Sequence, residues 1–248
     1  MSKVIYDFTG ERYAVTGASS GIGRQVALDL AQAGACVLGL GRNVERLEAL
    51  RNENPSRIFT ASVDVCDTPA LEEAIAGFVK AHGKLHGGVH AAGIDALTPL
   101  RNLADLGGID IMGVSFWAGI EFLRLVTSPK YAEQKTSTVL FSSVSALTGD
   151  KAKIVYASAK SAVNGAVRSL SQELSAEGHR VNTILPGWTD TPMTRELGQV
   201  NDASGVLAGH LLGMGQPEYI SQSVLFLLSE DSCELNGSNF VVDGGYSA

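Results

Sequence analysis

Tyr156 and Lys160 stand four residues apart in Val155-Tyr156-Ala157-Ser158-Ala159-Lys160. Apolar residues recur at helical spacing from Val155 through Ala159, Val163 and Val167 to Leu174, which predicts one helix over about Val155 to Glu177. On a helix the phenol and the ammonium share a face. A free tyrosine titrates near pH 10 or so, and an adjacent ammonium lowers that value by stabilising the phenolate. Each unit of lowering corresponds to about 1.4 kcal/mol. Ser143 lies thirteen residues earlier, just past the apolar run Thr138-Val139-Leu140-Phe141. A hydroxyl at the carboxyl end of a strand is placed to hydrogen-bond a substrate carbonyl. Spacing alone leaves Ser142 and Ser145 as alternatives. The chemistry these types can do together is proton transfer at a carbonyl or an alcohol.

Thr16-Gly17-Ala18-Ser19-Ser20-Gly21-Ile22-Gly23 forms a second candidate group, between the strand Tyr13–Thr16 and a helix beginning at Ile22. Backbone N–H groups and a helix N-terminus converge there on any bound anion. Gly17 permits the sharp turn, Gly21 lets a pyrophosphate reach the backbone, and Gly23 allows close packing. A dinucleotide loop usually finds a carboxylate about 20 residues on, holding the ribose 2′-hydroxyl. Here the second strand ends in Gly39-Leu40-Gly41-Arg42-Asn43, with no acid. Arg42 offers a fork of donors suited to a phosphate, which favours NADP(H) over NAD(H). Asp64-Val65, past the third strand, can meet an adenine ring, and Asp64 can equally be a turn residue.

These groups need a scaffold that brings strand ends together. Short apolar runs at residues 13–16, 36–40, 58–63, 89–91, 138–141, 181–185 and 240–242 read as strands. Helical patterns lie between them, at about residues 22–33, 44–52, 68–81 and 116–125. Strands apolar on both faces, alternating with helices, predict a seven-stranded parallel sheet covered on both sides, the doubly wound α/β (Rossmann-type) class. The 248 residues show no repeat or linker run, so one domain over 1–248 is expected. The stretch from Thr189 to Gln216, with five glycines, reads as an irregular lid; Leu197, Val206, Leu207, Leu211 and Leu212 would give it an apolar wall. Apolar residues make up 45% and charged residues 18%, which excludes a disordered chain. A net charge of −7 without a basic run argues against nucleic-acid or anionic-membrane partners. No segment has 18 uninterrupted apolar residues, so no membrane span is expected. Cys36, Cys66 and Cys233 have no metal or redox spacing and read as reduced packing residues of a cytoplasmic protein.

Taken in order, Thr16 to Gly23, Ala91-Ala92-Gly93, Ser143, Tyr156, Lys160, Pro186-Gly187 and Val242-Asp243-Gly244-Gly245 resemble the short-chain dehydrogenase/reductase family over about Gly10 to Gly245. The chain looks most like its 3-oxoacyl-carrier-protein reductase members. The resemblance implies an NAD(P)-dependent oxidoreductase acting on a small-molecule carbonyl or alcohol. Tyr156 would be the acid/base, Lys160 its partner and a ligand of the nicotinamide ribose, and Ser143 would hold the carbonyl. Ala91 to Gly93 would line the adenosine ribose, and Pro186, Gly187, Thr189 and Thr191 the nicotinamide side. It also implies a homotetramer paired through the Tyr156 helix. That helix carries Gln172 and Glu177 where an acidic carrier protein would favour bases. Two departures stand out. His90-Ala91-Ala92-Gly93 replaces the family's Asn-Asn-Ala-Gly, with His90 expected to be a strand residue satisfied by neighbours. The family's catalytic Asn is missing; its spacing falls on Ser115, with Asp110 the alternative. That loss motivates a second reading, a cofactor-binding sensor or scaffold with little catalysis.

Overall fold

Seven short runs become seven strands, the central ones buried from both sides and the two at the sheet edges covered only in part. They are β1 (Arg12–Thr16), β2 (Cys36–Gly41), β3 (Ile58–Ser62), β4 (Leu85–His90), β5 (Ala132–Phe141), β6 (Arg180–Pro186) and β7 (Asn239–Val242). The computed structural model describes residues 4–105, 110–200 and 209–248. All the strands are parallel, in the order β3-β2-β1-β4-β5-β6-β7. The chain leaves β1 for β2 and β3 on one side, then crosses to β4 on the other. Val15 of β1 therefore sits between Gly39 of β2 and Val89 of β4. Connections diverge above this pair of strands and leave a crevice at their carboxyl ends.

Helices cover both faces. On one face Val26 and Leu30 of α1 (Gly21–Gln32) and Val224 and Leu225 of α8 (Pro217–Leu228) close over Val15, Val37 and Val89. On the other, α3 (Thr68–His82), α4 (Ala118–Val126) and α6 (Ile154–Leu174) bring Ile75, Phe122 and Val163 against Ala14, Leu38 and Leu40. The short α2 (Val44–Glu53) is capped by Asn43, whose side chain accepts from the Arg46 N–H. Also short are α5 (Ser145–Thr148) and α7 (Pro192–Val200). Among the described residues no helix is long and apolar enough to cross a membrane.

Several elements differ from expectation. β4 starts at Leu85, and Ala91 lies beyond its end. A Cβ on Gly87 would lie 1.9 Å from the Ser137 carbonyl oxygen, and one on Gly88 would lie 2.6 Å from the Phe122 ring. Close packing requires these glycines, and they hide the strand from any propensity argument. α6 ends at Leu174 and finishes in a 3₁₀ turn to Glu177. The helix expected from Phe116 begins at Ala118, because Gly113–Trp117 form a π turn that leads into it. The stretch after Thr189 is not irregular throughout: it opens with α7, and its base is closed by a bridge between Thr189 and Gly215. Leu211 and Leu212 are exposed and form no wall, while Val206 and Leu207 lie outside the described residues. Cys66 and Cys233 are exposed, so only Cys36 packs, and then only in part.

Overpacking of a close contact costs about 1–3 kcal/mol, and about 2–4 °C of Tm follows per kcal/mol in a chain of this size. Gly87→Ala should therefore lower Tm by several degrees in a calorimetric melt. An unchanged Tm would contradict the packing described.

Candidate active site

The crevice is a cavity of about 400 Å³. The turn from β1 into α1 forms its floor, with Gly17, Ser19, Ser20, Gly21, Ile22 and Gly23 all lining it. Gly17 has φ +68°, and a Cβ there would come within 2.7 Å of the Ala92 backbone nitrogen. A Cβ on Gly23 would lie 2.5 Å from the Gly17 carbonyl oxygen, so the helix closes directly onto the loop. The N-cap Ser20 makes no side-chain cap, and the first turn of α1 holds no acid. Free N–H donors and the positive end of a helix thus face the cavity without competition, which fits a phosphate group.

The remaining candidates surround this floor. Arg42 is exposed on the rim beyond β2, and Asp64 and Val65 lie beyond β3. Asp64 is also a turn residue, since its carboxylate accepts from the Cys66 N–H at 3.0 Å. Ala91, Ala92 and Gly93 line the cavity after β4, and Pro186 and Gly187 after β6. Thr189 and Thr191 are buried there too, and Thr191 packs against Gly21. Sequence reasoning missed Arg46, which lies in the first turn of α2 and lines the same cavity as Arg42. Met193, where the pocket-shaping part of the expected lid begins, lines the cavity from α7.

Ser143, Tyr156 and Lys160 meet at the inner end of the cavity. Ser143 follows β5, and its hydroxyl, which accepts from the Ser145 N–H at 3.2 Å, lies beside the Tyr156 phenol. The alternatives are engaged elsewhere: Ser142 donates to the Lys160 carbonyl at 3.0 Å, and Ser145 donates to Asp150. Lys160 donates from Nζ to the Phe141 carbonyl at 2.8 Å and lies 5.7 Å from the centre of the Tyr156 ring. Burial brings the Lys160 ammonium down to about 8. Burial also pushes the Tyr156 phenol well above its ordinary value, and the Asp95 carboxylate adds to this, against the Ser143 hydroxyl. In the chain by itself, burial outweighs the lowering of the phenol expected from the Lys160 ammonium. Both groups are desolvated, and desolvation penalises the charged form of each.

Ser115 is fully buried behind the cavity wall, with no hydrogen-bond partner for its Oγ among the described residues. The position a Cβ would take on Gly93 is 3.5 Å from Lys160 Nζ and 3.6 Å from Ser115 Oγ, so the two atoms flank one spot. Asp110 instead is exposed and accepts from the Gly113 N–H at 2.6 Å, capping the turn. His90 is fully buried and satisfied by neighbours: Nδ1 meets Thr16 Oγ1 at 3.0 Å and Nε2 meets the Val114 carbonyl at 3.1 Å. Burial and the nearby Lys160 bring it down to about 4, so it is neutral at pH 7.

A family model described as enoyl-(acyl carrier protein) reductase matches residues 17–247. L-xylulose reductase of Caenorhabditis elegans is 32% identical over 245 residues, 98% of this chain and 98% of that protein. A 3-oxoacyl-acyl-carrier-protein reductase of Thermotoga maritima is 28% identical over 239 residues, 95% of this chain and 97% of that protein. A solved short-chain glucose/ribitol dehydrogenase from Brucella melitensis superposes with a TM-score of 0.91 at 26% identity, covering 98% of this chain and 99% of that one. With a match spanning nearly the whole chain, and a parallel sheet whose crevice carries the motifs, the protein belongs to the short-chain dehydrogenase/reductase family and is an oxidoreductase.

Proposed function

We propose that the chain is an NADP(H)-dependent enzyme that interconverts a ketone and a secondary alcohol, with Tyr156 as general acid/base. The observation that carries this is the meeting of Ser143, Tyr156 and Lys160 in the cavity whose floor is the uncapped N-terminus of α1. The bound dinucleotide supplies or accepts the hydride at the carbonyl carbon. Ser143 donates a hydrogen bond to the carbonyl oxygen and orients it. Tyr156 gives that oxygen its proton in reduction and takes it back in oxidation. Lys160 holds the nicotinamide ribose and stabilises the phenolate. Ser115 reaches Lys160 through water and resupplies the proton, in the place of the family's Asn.

Gly17 to Gly23 cradle the pyrophosphate, Asp64 and Val65 the adenine, and Ala91 to Gly93 the adenosine ribose. Pro186, Gly187, Thr189 and Thr191 hold the nicotinamide side. The absence of an acid after β2, together with two arginines on the rim, supports a 2′-phosphate and so NADP(H). Three unpaired cysteines, two of them exposed, support a reducing, cytoplasmic setting. Exposed Leu100, Leu147 and Ile154 near the start of α6 support a homotetramer paired through that helix.

A screen of NADPH and NADH oxidation with xylulose, a cyclic ketone and a 3-oxoacyl thioester tests the reaction class. Turnover with at least one, faster with NADPH, is expected; cofactor binding without turnover would favour a sensor or scaffold. Tyr156→Phe should cut turnover by about 10²–10⁴ while cofactor affinity stays within a few-fold. More than a tenth or so of the turnover surviving would refute the assignment. Arg42→Ala removes a charge-assisted bond worth about 1.5–3 kcal/mol, so NADPH should bind about 10- to 150-fold more weakly. NADH should be unaffected, and an equal loss for both would contradict the phosphate role.

A further inference from the structure

Beside Tyr156 lies a second pair of charges that the reaction scheme does not use. Lys153 Nζ and Asp95 Oδ2 are 2.6 Å apart, with side chains only 11% and 5% exposed. Lys153 Nζ lies 5.5 Å from the centre of the Tyr156 ring and 5.9 Å from that of Trp188. The phenol ring therefore has an ammonium near it from each of two lysines, Lys153 and Lys160. Asp95 Oδ1 is buried without a hydrogen-bond partner among the described residues. Lys153 is thus the only group that hydrogen-bonds the Asp95 carboxylate there.

The arrangement is built deliberately. The segment after β4 is tied to the approach to α6: Thr98 N–H donates to the Ala152 carbonyl, and Val155 N–H donates to Thr98 Oγ1. Ala152 takes φ +62°, which a residue with a Cβ adopts at a cost. Lys153 occupies the N-cap of α6, the end of a helix that disfavours a cation. A buried ion pair is a poor source of stability, since apolar residues of equal volume do as well or better. Three unfavourable choices thus converge on one contact next to the phenol.

We propose that Asp95 and Lys153 are positioning residues that set the pH at which Tyr156 releases its proton. Asp95 opposes the phenolate and Lys153 favours it. The inference rests on Tyr156 being the acid/base group. The other groups facing the phenol are Ser143 from the end of β5, Lys160 from α6 itself, and Asp150, which is engaged by Ser145 and Tyr246. His90 of β4 acts only through Lys160 and is neutral. Lys160 is itself coupled to the pair, since the Asp95 carboxylate favours its ammonium.

The test is an ultraviolet titration of tyrosinate in the complex with NADP⁺. Each protein is measured against the same protein carrying Tyr156→Phe, so only this tyrosine is read. Asp95→Asn should move the midpoint down by about one pH unit, and Lys153→Met should move it up by a similar amount. The double variant should return close to the wild-type midpoint. If Lys153→Met fails to fold, Asp95→Asn and the neutral double variant still decide. A midpoint unmoved in Asp95→Asn, or moved upward, overturns the proposal, as does a loss of thermal stability with no change in titration. Failure of the functional reading would show separately, as turnover surviving Tyr156→Phe.

Discussion

The site depends on one chain of hydrogen bonds that joins β1, β4 and the turn before α4. Ala92 N–H donates to Thr16 Oγ1 at 3.2 Å, Thr16 meets His90 Nδ1, and His90 Nε2 meets the Val114 carbonyl. Only one arrangement of protons satisfies every member. Nε2 carries the imidazole hydrogen, Nδ1 accepts from Thr16, and Thr16 Oγ1 accepts from Ala92. A neutral His90 is required for this, and burial keeps it neutral. The chain fixes the segment holding Ala91 to Gly93 against the glycine loop, where Gly17 leaves no room for a side chain. It also fixes Val114, and with it Ser115 on the far side of Lys160.

Around that junction, burial works against charge. Tyr156 and Lys160 are both desolvated, so each resists ionising in the chain by itself. A site that keeps such groups costs stability, and the scaffold offsets that with two apolar layers, one on each face of the sheet. Burial drives the two proton affinities apart, bringing the ammonium down to about 8 and holding the phenol well above its ordinary value. The glycines spend their freedom in the same region, allowing backbone to meet backbone at Gly17 and Gly87.

Much of this was legible in the sequence because backbone constraints leave marks. The glycine loop, the apolar strands and the Tyr156–Lys160 spacing are local patterns, each weak alone and informative in their order along the chain. β4 was legible only in part, because Gly87 and Gly88 remove the β-branched signal where packing is tightest. The turn into α7 was hidden by the glycines and proline around it. Asp110 looked like a candidate until its carboxylate was seen to cap the Gly113 N–H. The Asp95–Lys153 contact joins residues 58 apart, and no periodicity announces such a pair. Sequence gives the local geometry, while long-range charge pairing appears only once the strands are ordered.

The central claim is that a dinucleotide lies across this crevice with its phosphates on the N-terminus of α1 and its reactive ring facing Tyr156. A crystal structure of the protein with NADPH measures this most directly. The account predicts the pyrophosphate against the N–H groups of Gly21 and Ile22, the 2′-phosphate between Arg42 and Arg46, and the nicotinamide beside Ser143 and Tyr156. A dinucleotide bound outside the crevice, or with its nicotinamide turned away from Tyr156, would contradict it.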